Sequence, residues 1–253
     1  MMSVLQDIVV TNKKVMTKSF KAIQKNPALL GVGVLYVLLL LVGFQVSIIA
    51  GFLGGIVMTL VQSALLSSYL FLMNRIIRTG RFKQEDMTDG VRVYFRKIWI
   101  TLIIVFVAQY GLSLVAQIFG TVLPFAGLIW IIAYCLAIIL LNPLPEVIYQ
   151  KHVDELGTFT YAYGFVKENW IDWFIPNVLL GAVIWVVNTG INMAFGAIAS
   201  GFSIGLGLSF PVVISAIVLQ AFISYSMIYR GLLFHELSTT TRRKRLFMRH
   251  MNQ

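Results

Sequence analysis

Charge in this chain is confined in a way that a membrane would impose. Its twenty Lys and Arg and ten Asp and Glu all fall in four segments, and none lies in the six long apolar runs between them. Crossing the hydrocarbon core takes about 20 apolar residues as a helix. The runs 29–48, 52–73, 98–118, 124–142, 174–197 and 206–229 all qualify. An open sheet in lipid would leave backbone groups unpaired, so each run is expected as a helix.

The turns within each pair of runs are short: Ile49–Gly51, Phe119–Leu123 and Ile198–Gly205. Each holds glycine and none holds a charge. The segments between pairs are long and charged. Residues 1–28 carry Lys13, Lys14, Lys18, Lys21 and Lys25. Residues 74–97 carry Arg75, Arg78, Arg81, Lys83, Arg92, Arg96 and Lys97, and the tail carries Arg242, Arg243, Lys244, Arg245 and Arg249. An even number of spans separates these segments, so all lie on one face. The positive-inside rule puts that face, with both termini, in the cytoplasm of a cell-membrane protein. The 143–173 loop is richer in acid (Glu146, Asp154, Glu155, Glu168 and Asp172), but acidic residues count little in that rule.

Composition agrees. The chain is 12% charged and 58% hydrophobic, against roughly 25% charged in a soluble domain. The net charge of +10 would suggest nucleic acid in a soluble protein. Beside membrane spans, anionic lipid headgroups account for it better, so nucleic acid is not an expected partner. The single cysteine, Cys135, excludes an internal disulfide and is expected as a small packing residue in mid-span. The polar, lysine-rich start of the chain does not resemble a cleavable signal peptide.

A threefold repeat, 1–80, 81–151 and 152–253, is plausible within one integral membrane domain. Met16, Phe20, Ile23 and Pro27 precede the first span at helical spacing. Met87, Val91, Tyr94 and Ile98 precede the third, and Phe159, Tyr163, Val166 and Trp170 the fifth. Such spacing puts each set on one helix face. Each unit would be an amphipathic helix lying in the headgroup plane, followed by a two-helix hairpin.

Three segments carry a family resemblance. They are Lys18-Ser-Phe-Lys-Ala-Ile-Gln-Lys-Asn26 entering the first span, Asn142-Pro-Leu-Pro-Glu146 leaving the fourth, and Phe165-Val-Lys-Glu-Asn-Trp170 entering the fifth. The pattern resembles a loose group of six-span bacterial membrane proteins. These include the YciC-like proteins and the membrane domain attached to some glycerophosphodiester phosphodiesterases. The acidic, histidine-rich metal site of the phosphodiesterase domain has no counterpart in this chain. The resemblance therefore implies an accessory membrane module and lends no activity.

Few residues suggest chemistry. Gly201-Phe-Ser203-Ile-Gly205 matches the nucleophile-elbow pattern, which needs a strand-to-helix turn and a histidine in reach. It falls in a turn expected to hold no strand, and His152, His235 and His250 fall on the opposite face, about 30 Å away. His152 with Asp154, Glu155 and Glu146, or His235 with Glu236, offers too few converging ligands for a metal. No cofactor is expected. Glu146 follows Pro143 and Pro145, where a helix cannot continue regularly. With Asn142 it could bind a cation or a headgroup amine, and Arg75 or Arg78 could pair with it instead.

Spans without ionisable groups argue against a proton relay or voltage sensor. Their neutral polar residues group by face: Gly181, Trp185, Asn188, Asn192 and Gly196 in span five, Ser63, Ser67 and Asn74 in span two, Gln220 and Ser224 in span six. Such residues usually bond helix to helix, although Asn188 and Asn192 could line a polar cavity. Gly51-x-x-x-Gly55 and Gly201-x-x-x-Gly205 allow close helix approach. Lys21, Lys25, Arg92, Arg96, Arg242, Arg243, Lys244 and Arg245 are the candidate lipid-headgroup contacts.

The sequence thus predicts an all-α, polytopic transmembrane bundle of six helices in three hairpins, with amphipathic interfacial helices. The expected function is non-enzymatic: a scaffold or accessory subunit that engages membrane lipids or a membrane protein partner. A transporter or channel-like protein with a neutral polar pathway is the alternative. An intramembrane enzyme built on Glu146 or His235 is the least favoured.

Overall fold

The computed structural model describes residues 4–120, 126–196, 203–204 and 208–240. The chain is a polytopic all-α protein. Its helices are α1 (Val4–Lys25), α2 (Ala28–Ile49), α3 (Gly54–Thr79), α4 (Glu85–Val93), α5 (Phe95–Gly120), α6 (Ala126–Leu141), α7 (Leu144–Gln150), α8 (Glu155–Gly196) and α9 (Phe210–Thr239). Among the described residues, five stretches are long and apolar enough to cross a membrane: Ala28–Ile49, Gly51–Thr79, Phe95–Val115, Ile131–Gln150 and Glu155–Ile191. The sixth expected span begins outside the described residues, and its helical part is α9.

Local chemistry sets the breaks. Pro27 lacks the N–H that a continuous helix would need, and α1 gives way to α2 around it. Tyr94, at φ −112° and ψ 2°, separates α4 from α5. Asn169, at φ −124° and ψ 20°, kinks α8. Each break follows an amphipathic segment and precedes an apolar one. The expected rupture after span four is present: α6 ends at Leu141, and α7 restarts behind Pro143. Between α2 and α3, Gly51 takes φ +59° and opens a 3-10 turn, Gly51–Leu53. Only glycine enters that region without strain.

The close approach in this turn falls at Gly54 instead of the expected Gly55. A Cβ on Gly54 would stand 2.2 Å from the Ser47 carbonyl oxygen, whereas Gly55 has open space around it. Beyond α8, Ser203–Ile204 pairs antiparallel with Leu208–Ser209. The Ser203 turn therefore does hold a strand, contrary to expectation. It is a two-residue hairpin ladder, not the strand-to-helix elbow that a nucleophile needs. The turn Phe119–Leu123, Gly201 and Gly205 lie wholly or partly outside the described residues.

The helices form two compact units. One comprises residues 1–41, 75–82 and 169–253; the other comprises 42–74 and 83–168. In the first, α1 packs along α9. Trp173 and Phe234, both fully buried, meet edge to face at 6.2 Å, and the Arg230 guanidinium sits 5.2 Å from the Trp173 ring. A Cβ on Gly33 would strike the Gln220 side chain at 1.6 Å, so glycine is what lets α2 lie against α9. In the second unit the buried residues include Leu72, Met73, Ile98, Val147 and Phe165. There Gly90 admits α4 against α3: a Cβ would stand 2.9 Å from Phe71 Cβ.

Burial is uneven along the spans. Leu38, Val42, Phe106, Val107, Ile131, Ile132 and Val186 are all exposed in mid-span. Water would penalise that surface at about 25 cal/mol per Å²; lipid does not. Cys135 is among the exposed residues of α6, so it faces outward and is not the packing residue expected.

Candidate functional site

The three amphipathic segments turn their apolar stripes to different surroundings. On α1, Val9, Met16 and Phe20 are exposed, beside exposed Lys13, Lys18, Lys21 and Lys25. The opposite face of α1 is buried through Asp7, Ile8, Thr11, Val15 and Ser19. Ser19 satisfies its hydroxyl by donating to the Val15 carbonyl at 2.8 Å. Lys14 reaches across to Glu236 of α9 at 3.1 Å. The Tyr229 hydroxyl donates to Asn12 Oδ1, and the Asn12 amide donates to the Ile8 carbonyl at 2.7 Å. Helix α1 is thus moored to α9 by a polar face and presents an apolar stripe flanked by lysines.

On α4 the expected stripe is a packing face, which corrects the headgroup-plane reading there. Met87, Val91 and Tyr94 are half-buried and Ile98 is buried. The Tyr94 N–H donates to Ser67 Oγ at 2.8 Å, and the Ser67 hydroxyl donates to the Gly90 carbonyl at 2.6 Å. The Ser68 hydroxyl donates to the Met87 carbonyl at 2.5 Å. Asn74 donates to the Tyr94 hydroxyl at 2.8 Å, which donates onward to the Tyr149 carbonyl at 3.3 Å. The Lys97 ammonium lies 3.5 and 3.4 Å from the Ile148 and Lys151 carbonyls at the end of α7. Serines and an asparagine of span two therefore tie α3 to α4 and, through Tyr94, to α7. Hydropathy placed Tyr94 on the apolar stripe and missed its hydroxyl as the centre of this knot. Neither a nucleophile–base pair nor an acid–base dyad arises from these neutral groups.

The third segment is mixed. Tyr163 and Trp170 are exposed, but Val166 is buried. Its start is capped by Asp154, which accepts from the Gly157 N–H at 3.2 Å. Glu155 pairs with Arg96 at 3.3 Å. Glu236, paired with Lys14, is likewise occupied. Among the described residues no three His, Cys, Asp or Glu converge as a metal would need.

The other candidates fall as follows. Glu146 is fully buried in the first turn of α7, so a freely exposed carboxylate is excluded. Asn142 is half-buried at the break before it. Arg75 and Arg78 are exposed. Asn188 is half-buried in α8, while Gly181 and Trp185 on its face are exposed, Trp185 by 68%. The Asn192 side chain lies outside the described residues, as do Arg242, Arg243, Lys244 and Arg245. Lys21, Lys25 and Arg92 are exposed, and so is Arg96 despite its partner. In α9, Gln220 donates to Ser224 at 3.2 Å, both buried; this bond lies within one helix and does not join two.

The first unit also holds a groove of about 600 Å³ that sequence reasoning did not find. One wall is α1, through Ile8, Val9 and Met16. The other is the apolar half of α8, through Pro176, Leu179 and Val183, with Tyr229 of α9 at the base. Pro176 has no N–H to offer the Asp172 carbonyl, and its ring becomes part of the wall. The Asn188 face is not among the groove's walls. Comparison with protein-family models, curated proteins and solved structures returned no match.

Proposed function

We propose that this is a non-enzymatic protein of the cell membrane, with cytoplasmic termini, acting as a scaffold or accessory subunit that engages anionic lipid at the cytoplasmic leaflet. The observation that carries this reading is α1. Its polar face is used for mooring to α9, and what remains outward is an apolar stripe bordered by four exposed lysines. A helix of that kind suits the boundary between headgroups and acyl chains. Each basic residue near an anionic surface adds about 1 kcal/mol of attraction. The resemblance of three short motifs to six-span bacterial membrane proteins supports the same reading, an accessory module that a membrane protein partner would complete.

The transporter alternative gains no support from the described residues. On its polar face in span five, Gly181 and Trp185 are exposed while Asn188 is half-buried. The test is the lipid composition of protein extracted in native-like particles. Wild type is expected to carry anionic lipid in excess over the bulk membrane, and a Lys18→Glu, Lys21→Glu, Lys25→Glu variant to lose that excess. Equal composition in the two would overturn the proposal. Fusion of a cytoplasm-dependent reporter to either terminus tests the orientation, and a silent reporter at both would reverse it.

A further inference from the structure

The groove in the first unit is a seat for one molecule, and its walls define that molecule's chemistry. We infer that it takes an acyl chain of an anionic phospholipid drawn from the surrounding leaflet, with the lipid phosphate against Lys13. This rests on the lipid-engaging reading above and makes it specific to one site.

The size fits a single chain. A volume of about 600 Å³ is in the range of small-molecule sites, roughly 300–1,000 Å³. The wall from Ile175 to Val183 runs two helical turns, about 12 Å, the length of roughly ten methylene groups. Ile175 and Pro176 stand near the Asn169 kink at the head of the apolar segment, and Val183 stands deeper in it. A chain lying along this wall would run from headgroup level into the core.

The walls are apolar but not sealed. Val9, Met16, Ile175, Leu179 and Val183 line the groove and are still between 45% and 64% exposed. Such a groove is wet and costly in water, whereas in a bilayer it opens sideways onto acyl chains. Its occupant needs no aqueous portal.

The polar lining is already spoken for, with one exception. Asn12 and Tyr229 bond each other, and the Thr17 hydroxyl donates to the Lys13 carbonyl at 2.9 Å. The Lys13 ammonium is exposed and meets no carboxylate among the described residues, unlike its neighbour Lys14. A single unmatched cation at the edge of an apolar groove complements a single anion carried on an apolar chain. That pairing describes an anionic phospholipid and disfavours a neutral sterol or an apolar protein segment.

The experiment uses the full chain in bilayer nanodiscs with phosphatidylglycerol or phosphatidylcholine probes that carry a photoreactive diazirine on one acyl chain. Cross-linked peptides are identified by mass spectrometry. The expected result is cross-linking at Met16, Leu179 and Val183 in excess over the exposed control stretch Leu38–Val42, with phosphatidylglycerol preferred. Lys13→Ala, an exposed change that leaves the fold alone, should cut that preference about fivefold, the factor that one basic residue near an anion supplies. Leu179→Trp, at a position 63% exposed, should fill the groove and abolish the excess there while sparing the control stretch. Groove cross-linking no higher than the control overturns the seat. A preference untouched by Lys13→Ala overturns the headgroup contact. If anionic lipid is enriched around the protein but the groove shows no excess, only this inference fails. If no enrichment occurs anywhere, the proposed function fails with it.

Discussion

Gly33 and Gln220 offer a decisive test of how α2 meets α9. An alanine Cβ at Gly33 would stand 1.6 Å from Gln220 Nε2, 2.1 Å from its Cδ and 2.6 Å from its Cγ. All three atoms belong to one side chain, so Gln220 must swing away as a whole. That forfeits its 3.2 Å bond to Ser224, about 0.6–1.7 kcal/mol within a membrane bundle. Repacking a crowded site adds about 1–3 kcal/mol. Against this, replacing a mid-helix glycine by alanine returns about 1 kcal/mol. Gly33→Ala should therefore cost roughly 1–3 kcal/mol in the wild-type background. In a Gln220→Ala background the obstruction is gone and the helix gain remains, so the same substitution should stabilise by about 1 kcal/mol. Equilibrium unfolding of the four proteins in mixed micelles closes the cycle, with a coupling of about 2–4 kcal/mol, the difference between those two outcomes and the mark of residues in contact. A cost of the same sign and size in both backgrounds would show that the two helices do not meet there.

Other consequences can be checked by similar means. Ser67→Ala removes the acceptor for the Tyr94 N–H and the donor to Gly90, and should cost about 2 kcal/mol or more, because a buried backbone donor loses its partner. Tyr94→Phe removes only the hydroxyl link between Asn74 and Tyr149 and should cost about 1 kcal/mol; an equal loss in both would contradict the ordering. A spin label on Cys135, exposed on α6, should be relaxed strongly by oxygen and weakly by a water-soluble nickel chelate in bilayers. The reverse would put α6 against water.

The sequence announced its breaks because they rest on local chemistry. Pro143 and Pro145 together interrupt regular helix, so the rupture after span four was legible, and a charged, amphipathic stretch stops at each span; Pro27 was legible only as part of the first apolar stripe. Facing direction was far less legible. In water, an apolar residue declares the inside. In lipid, Leu is as comfortable outside as in, so the apolar runs of α5 and α6 say nothing about which face packs. Only small and polar residues carry that signal, and they carry it ambiguously. Ser67 and Asn74 point to neighbours as expected, but the Asn188 face of α8 includes exposed Trp185. On α1 the series Asp7, Thr11, Val15, Ser19 recurs every four residues and is the buried face. Three of its four members are polar, so hydropathy marks the stripe through Met16 and Phe20 instead. The groove could not be read at all, because its walls come from segments more than 150 residues apart.

Packing also differs between the ends and the middles of the spans, and this predicts where the chain tolerates change. The fully buried large side chains Trp173, Phe234, Leu72, Met73 and Val147 all lie near helix breaks or ends, among the hydrogen-bonded residues. The mid-span residues Phe106, Val107, Ile131 and Val186 are exposed by half or more. Truncating a buried aromatic leaves a cavity as well as losing its contacts, so Phe234→Ala should cost about 3–5 kcal/mol. Phe106, 65% exposed in α5, exchanges protein contacts for lipid ones when shortened, and no water enters. Its only other described ring partner is Tyr110 on the same helix, 6.4 Å away. Phe106→Ala should therefore cost less than about 1 kcal/mol in bilayers. Comparing the two variants by unfolding separates surface area from packing, because both delete the same atoms. A Phe106→Ala loss as large as that of Phe234→Ala would mean that α5 is covered by a protein neighbour in the membrane, and that lipid does not fill its outer face.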